Sequence, residues 1–300
     1  MALHQPTKDT PQYFAPKSGA KTRVAIQGVQ GAFHEIAARY FHTEGSMEVV
    51  PSDTFDILFE NVENGSADAA VMAIENTIAG TILRNYNLLN NSNLRIKGEV
   101  FLRIKQNLMA LPNVRIEDIE EVHSHPIALQ QVEDFFLKYP HIKLIEAHDT
   151  ALVAKEIQEN GYKNRGAIAS ELAAEIYGMD ILAASIETYK KNFTRFLYIT
   201  SENTEGGIVP DFNKVSLVFN TNHTVGSLHK AMEVLAKNNC NLTKIQSAPI
   251  MDKPWEYMFF VDFTLNNYSN YPNAMLELHR VAGNVKVLGE YKSAQYFEWI

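Results

Sequence analysis

From about residue 23 to residue 200 the chain alternates short apolar runs with helical patterns, most of them closed by glycine or asparagine. That alternation commits it to a sheet covered by helices, an α/β layer architecture. Arg23-Val24-Ala25-Ile26 reads as a strand, Gly28-Val29-Gln30-Gly31-Ala32 as a turn, and His34 to Phe41 as a helix. Paired glycines at such a junction serve either a plain turn or close approach to a bound anion at the helix start. The third glycine and the acidic residue of a dinucleotide fingerprint are missing. Thr54 to Asn64 is an amphipathic helix stopped at Asn64-Gly65, and Ala69 to Ile74 is a central strand of small apolar residues. This strand delivers Glu75-Asn76-Thr77 to its C-terminal end, where open α/β sheets bind ligands, with Gly80 beyond it to bend the backbone.

A polar, Asn-rich stretch (85–93) and a long strand-like segment (94–110) follow, then Glu121-Val122-His123 running into Ser124-His125-Pro126 and a helix from Ala128 to Leu137. Pro126 marks the helix start, with Ser124 placed to cap it or to point its hydroxyl into a cleft. His123 and His125 would share one strand face, but no third ligand stands at a recognised spacing, so no metal is expected. Strand and helix alternate again at 143–146, 150–159, 167–168 and 170–177, with Asn160-Gly161 and Gly178 ending the two helices. Asn192-Phe193-Thr194-Arg195-Phe196 then opens the apolar strand Phe196 to Ile199. A neutral hydroxyl donor beside a permanent cation at a strand mouth suits an anionic substrate.

Residues 201–213 shift to Glu, Asn, Thr, Gly206-Gly207 and Pro210, a linker by composition. Beyond it the pattern is strand (215–220), helix (226–238), strand (242–251), a turn at Asp252-Lys253-Pro254, strand (257–265), helix (272–281), strand (285–291). That βαββαβ order is the ferredoxin-like plan, which leaves a face and edges for pairing with a second copy. Residues 1–22, with Pro6, Pro11 and Pro16 and no apolar core, read as a flexible tail and not a signal peptide. A net charge of −8 argues against nucleic acid or an anionic membrane as partner, and no apolar run reaches the roughly 18 to 20 residues of a membrane span. The single Cys240 fits a reducing compartment, so a cytoplasmic protein is expected.

Four blocks in order carry a family resemblance: Gly28 to Phe33, Ile74-Glu-Asn-Thr77 with Gly80, Val122 to Pro126 with Gln130-Gln131, and Asn192 to Phe196. Together they resemble the signature blocks of prephenate dehydratase. The C-terminal unit is similar to the ACT regulatory domain through Gly226-Ser-Leu228 and Asn241 to Pro249. The resemblance implies a catalytic domain at 23–200 made of two periplasmic-binding-like lobes (23–103 with 187–200, and 104–186), followed by an ACT domain at 214–300. It implies Thr194 as the catalytic donor, acting either directly as the C–O bond breaks or through a relay by Ser124 or His125, and Asn76, Thr77, Gln131, Arg195 and Phe196 as substrate contacts. Arg195 would hold a substrate carboxylate. Ala73, Thr77 and Ile127 stand where proline, serine and glutamine are common, and Thr77 keeps the hydroxyl.

The implied reaction is loss of carbon dioxide and a ring hydroxyl from prephenate to give phenylpyruvate. Aromatisation drives it, so no cofactor is expected. Arogenate as substrate and a non-catalytic anion sensor are the alternatives. Phenylalanine is the implied effector, held by Gly226, Ser227 and Leu228 and by Gln246, Ser247, Ala248 and Pro249, with a homodimer or homotetramer formed through the ACT domains. Gln246 and Ala248 stand where Glu and Arg are usual, which predicts weaker regulation.

Overall fold

The computed structural model describes residues 20–43, 45–201, 212–222, 224–250, 253 and 255–294. Nearly all of the expected tail, most of the expected linker, and Asp252 and Pro254 of the expected turn lie outside them. The strands are β1 Thr22–Gln27, β2 Met47–Ser52, β3 Ala69–Asn76, β4 Gly80–Thr81, β5 Leu94–Arg103, β6 Asn107–Ala110, β7 Glu121–Ser124, β8 Lys143–Glu146, β9 Arg165–Ala169, β10 Asp180–Ala183, β11 Phe193–Ser201, β12 Lys214–Asn220, β13 Cys240–Pro249, β14 Tyr257–Leu265 and β15 Gly283–Tyr291. The helices are α1 Phe33–Arg39, α2 Phe55–Glu63, α3 Leu83–Asn91, α4 Pro126–Gln130, α5 Glu133–Phe136, α6 Thr150–Asn160, α7 Glu171–Ile176, α8 Ser227–Lys237 and α9 Tyr271–Val281. Two compact units result, one holding the residues up to Ile82 with Val100–Phe196, the other Leu83–Glu99 with the residues from Leu197 on.

The first unit repeats one device. β1 pairs in parallel with both β2 and β3, and β7 likewise with β8 and β9, so each sheet takes the order third, first, second. An antiparallel strand then flanks β9, namely β6 with β10 outside it, and β11 flanks β3. Crossovers of this kind bring the C-terminal ends of the parallel strands to one edge of each sheet. Asn76, Ser124 and the turns after β1, β8 and β9 therefore gather at such edges. The two edges meet through the glycine turn. Ser170 Oγ donates to the Gly31 carbonyl at 2.5 Å and Tyr177 OH to that of Gln30 at 2.8 Å. A Cβ on Gly31 would lie 2.8 Å from Ala173 Cα, and Gly31 has φ +88°, so only glycine fits this approach. Glu35, buried at the start of α1, takes the Gly31 amide at 2.7 Å, so the turn is closed by the protein's own carboxylate.

In the second unit β12-α8-β13-β14-α9-β15 builds the ferredoxin-like plan, with α8 and α9 covering a core that includes Phe219, Val261 and Phe263. β13 lies at the edge of its sheet and β15 meets β5 through Gly289 and Ile96. Lys214 Nζ reaches both oxygens of the buried Glu99, at 2.8 and 2.9 Å.

Several local expectations change. The Asn-rich stretch is the helix α3, because Tyr86 and Leu89 turn one face inward despite the polar composition. The long strand breaks at residues 104–106 into β5 and β6. The helix expected at 128–137 is interrupted at Val132, which leaves helical geometry at φ −117°, ψ 3°. β2, β4 and β10 have no counterpart among the expected strands. No helix of the described residues is long and apolar enough to cross a membrane.

Candidate active site

Asn76 ends β3 at a tight hairpin, where Gly80 takes φ +81°. Its Oδ1 accepts from the backbone amides of Ile78 and Ala79 at 2.9 and 2.8 Å. Those two donors settle which end of the side-chain amide is oxygen. Nδ2 therefore faces β11, donating to Thr194 Oγ1 at 2.9 Å, Asn192 Oδ1 at 2.8 Å and the Phe193 carbonyl at 3.2 Å. Thr194 is buried at 8% exposure, and its hydroxyl, already accepting from Asn76, keeps its own proton. No acceptor for that proton stands among the described residues. Thr77 is spent differently. Its hydroxyl donates to the Lys191 carbonyl at 3.1 Å and accepts from the Phe193 amide at 2.9 Å, which stitches the start of β11 to the end of β3.

Across the cleft, Ser124 neither caps a helix nor faces outward. It is fully buried and donates to the Ile168 carbonyl at 2.7 Å, tying β7 to β9. Its hydroxyl is spent on the neighbouring strand, and the capping role passes to the next residue, His125. His125 Nδ1 accepts from the Ile127 amide at 3.3 Å, which leaves the ring proton on Nε2. Burial lowers the His125 pKa, opposed by the nearby Asp149 carboxylate and reinforced by His148. His123 has turned to Glu121 Oε2 at 3.1 Å. Gln131 Oε1 accepts from Asn192 Nδ2 at 2.9 Å and from Gln106 Nε2 at 3.1 Å. The buried Glu187 supports this corner, taking the Gln106 backbone N–H at 2.9 Å and the Ser185 hydroxyl at 2.7 Å.

Alternation along β11 separates the residues expected to act together. Thr194 and Phe196 share one face, and Arg195 takes the other, 4% exposed, with its guanidinium carbon 6.0 Å from the centre of the Phe101 ring. Adjacent numbering suggested a donor and a cation at one mouth, whereas a strand places neighbours on opposite sides.

Residues not singled out from the sequence complete the site. Asn192 is fully buried between Asn76 and Gln131; it opens the fourth block, but the resemblance gives it no role. Its signal was its place two residues before Thr194, on the same face. Gln106 lay inside what read as one continuous strand. His34, at the start of α1, packs edge-on against Phe196 with ring centres 5.0 Å apart and lies 5.8 Å from Phe55. Its Nε2 meets the Ala73 amide at 3.4 Å, and burial holds its pKa down at about 3, so it is a neutral wall of the cleft at working pH.

Hydroxyl and amide donors converging at strand ends, between two α/β lobes, define an enzyme acting on a small polar molecule. The chain belongs to the prephenate dehydratase family, whose model matches residues 24–204, and it is a lyase. Arogenate dehydratase/prephenate dehydratase 2, chloroplastic, of Arabidopsis thaliana is 40% identical over 288 residues, covering 91% of this chain and 74% of that protein. Arogenate dehydratase 2 of Petunia hybrida is 40% identical over 291 residues, covering 92% and 73%. Among solved structures, prephenate dehydratase from Arthrobacter aurescens in complex with L-Phe superposes with TM-score 0.81 at 25% identity, covering 93% of this chain and 92% of that one. A structure described as a novel type of quorum-quenching acylase, GqqA, reaches TM-score 0.82 at 28% identity, covering 92% and 100%. The expected α/β class with periplasmic-binding-like lobes is what these neighbours share. The expectation of a cytoplasmic protein is overturned, because Arabidopsis relatives matching more than nine-tenths of this chain are chloroplastic.

Proposed function

We propose that the protein is a prephenate dehydratase, converting prephenate to phenylpyruvate with loss of water and carbon dioxide. The supporting observation is the Thr194 hydroxyl, which accepts from Asn76 Nδ2 at 2.9 Å and so has its one proton free for the cleft. Prephenate dianion takes up one proton as it yields phenylpyruvate, carbon dioxide and water, and that proton leaves with the ring hydroxyl. Thr194 donates to the departing oxygen as the C–O bond breaks, while the electron pair of the breaking C–CO₂ bond enters the ring. Asn76 stabilises the negative charge that grows on Thr194 Oγ1 during the donation. Positioned acid catalysis of this kind contributes about 10² to 10⁴ in rate. Ser124 holds the second sheet at the cleft through Ile168 and does not relay the proton. The neutral His125, with its proton on Nε2, and Gln131 orient the substrate, and Phe196 and His34 form the apolar wall. The buried, aromatic-covered Arg195 maintains β11 and leaves the substrate carboxylate to other donors.

A second reading has its own support: both of the 40%-identical plant relatives carry arogenate dehydratase in their names. Arogenate replaces the keto group with an ammonium and yields phenylalanine by the same bond changes. Parallel assays decide. Phenylpyruvate from prephenate supports the first reading, phenylalanine from arogenate alone replaces it, and absence of both leaves an anion-binding protein.

We further infer that the domains run as the motifs imply, with a catalytic domain at 23–200, a linker at 201–213, and residues 214–300 as an ACT domain that pairs with a second copy. The edge position of β13, with Ile245 exposed at 43%, supports pairing. The L-Phe complex of the Arthrobacter aurescens structure supports phenylalanine as effector. Gly226, Ser227 and Leu228 start α8, and Gln246 to Pro249 end β13, the two segments the effector would use.

A further inference from the structure

The polar residues of the cleft form one directed chain, and its direction originates in the backbone. Asn76 Oδ1 is pinned by the Ile78 and Ala79 amides, so its Nδ2 must donate toward β11. Asn192 must then present Oδ1 to Asn76, and its Nδ2 to Gln131. Gln131 must in turn present Oε1 to Asn192, at 2.9 Å, and the same oxygen takes Gln106 Nε2 at 3.1 Å. Reversing any one amide would set donor against donor or acceptor against acceptor, in a corner where Asn192 is 0% and Gln106 3% exposed.

The far end of the chain carries the cost of keeping this direction. Gln106 Oε1 is buried and has no hydrogen-bond partner. A buried unpartnered carbonyl is unfavourable, and turning the Gln106 amide would not relieve it, because two oxygens would then face each other at Gln131. The near end gains. Gln131 Nε2 finds no acceptor among the described residues and is not sealed from solvent, and Thr194 retains its own proton. Both ends that remain unspent are donors.

We propose that Asn192 is a positioning residue that fixes the polarity of the cleft, making Gln131 present its Nε2 protons to the substrate. This rests on the catalytic reading of the cleft. Asn192 touches no reacting atom; it acts through Gln131 on one side and Asn76 on the other.

Asn192→Asp tests it, because the substitution keeps the shape and replaces only the donor that faces Gln131. The other carboxylate oxygen still accepts from Asn76, so the Thr194 side is preserved. Ionised, the introduced carboxylate repels Gln131 Oε1 and turns the amide so that oxygen faces the substrate; protonated, it donates as the asparagine does. The Michaelis constant relative to the parent should therefore rise about tenfold across pH 5 to 9 as the new carboxyl group ionises, with turnover changed by no more than about threefold. Asn192→Ala should show no such pH-dependent ratio. A purely structural residue would lower the melting temperature of both variants and leave the ratio flat with pH, which overturns the proposal. A second measurement needs neither activity nor a folded variant. In the parent labelled with nitrogen-15 at Asn and Gln side chains, the Gln131 NH₂ should exchange with water much faster than those of Asn192 and Gln106. A slow Gln131 signal overturns the polarity even if the enzyme is active, and failure of the parent on both prephenate and arogenate overturns the catalytic reading while leaving the exchange result interpretable.

Discussion

The cleft and the proposed effector segments of the C-terminal unit are both built from strand ends and helix starts, yet their polar side chains are used in opposite ways. In the cleft, Asn76, Asn192, Gln131 and Gln106 bond to one another across 25 to 116 residues of sequence. In the effector segments the bonds are local: Gln246 Nε2 donates to the carbonyl of Ser247 at 2.9 Å, and Ser227 Oγ to that of Thr224 at 2.8 Å. A network assembled over long range is preorganised, since no single side chain can turn without breaking its neighbours. A locally satisfied side chain can turn cheaply. Substitutions should therefore act abruptly in the cleft and gradually in the effector segments.

The largest expected effect is on turnover. Thr194→Ala should lower kcat by at least about 10²-fold with KM near the parental value, since it removes a donor used in bond cleavage. Asn76→Asp should match it, because a carboxylate oxygen facing Thr194 captures the proton meant for the substrate. Near-normal turnover in either variant would erase the contrast between the two regions. Next in size is Arg195→Lys. With the guanidinium buried over Phe101 on the face opposite Thr194, loss of its planar fork should lower Tm by several degrees and leave KM nearly unchanged. A large rise in KM at unchanged Tm would return Arg195 to the substrate, as the sequence first suggested.

Acid provides a smaller and graded probe. Burial holds His34 at about 3 and His42 at about 4, both below the ordinary 6.5, and both rings lie in the cleft-bearing unit. Between those values and 6.5 the unfolded chain binds protons that the folded unit refuses, so stability is full above about pH 6.5 and falls as pH drops. Each ring contributes at most about 1.4 kcal/mol per pH unit in that window. Denaturant titrations at pH 7 and 5 should show the loss, and His34→Gln should reduce it; equal losses in parent and variant would place the sensitivity elsewhere.

How far the sequence could be read follows the same division. Strand and helix periodicity exposed part of each sheet of the first unit, missing β2, β4 and β10, and the βαββαβ order of the second, because burial on one face imprints the pattern directly. Motif order pointed to Asn76, Ser124, Gln131 and Thr194, all of which fall in the first unit. What stayed hidden was direction. Nothing in the letters shows that Ser124 is committed to Ile168, or that Gln106 stands at a break between β5 and β6, since those depend on which distant backbone group lies opposite. α3 was hidden by asparagines whose polarity masks two inward residues, Tyr86 and Leu89. The face of Arg195 was legible from alternation alone and was missed because the block was read as a unit.

The smallest expected effect is in the proposed effector segment. Gln246 and Ala248 stand where the family usually carries Glu and Arg, which suggested that restoring both would tighten the phenylalanine response. The structure separates the two. Ala248 is 1% exposed within β13, so an arginine there overfills a packed position and should cost stability before it improves binding. Gln246 is half-buried and bonded only to its neighbour's carbonyl, so a glutamate at that position can turn toward an ammonium without disturbing a network. A charge-assisted hydrogen bond is worth roughly twice a neutral one, a gain of about 1 kcal/mol. Gln246→Glu alone should therefore lower the phenylalanine concentration for half-inhibition by about five-fold, with kcat unchanged, and calorimetry should show tighter binding by the same factor. Ala248→Arg should lower Tm without that gain. If Gln246→Glu changes neither binding nor inhibition, only the proposed assembly role is left to the C-terminal unit, and its segments are finished locally because no ligand uses them.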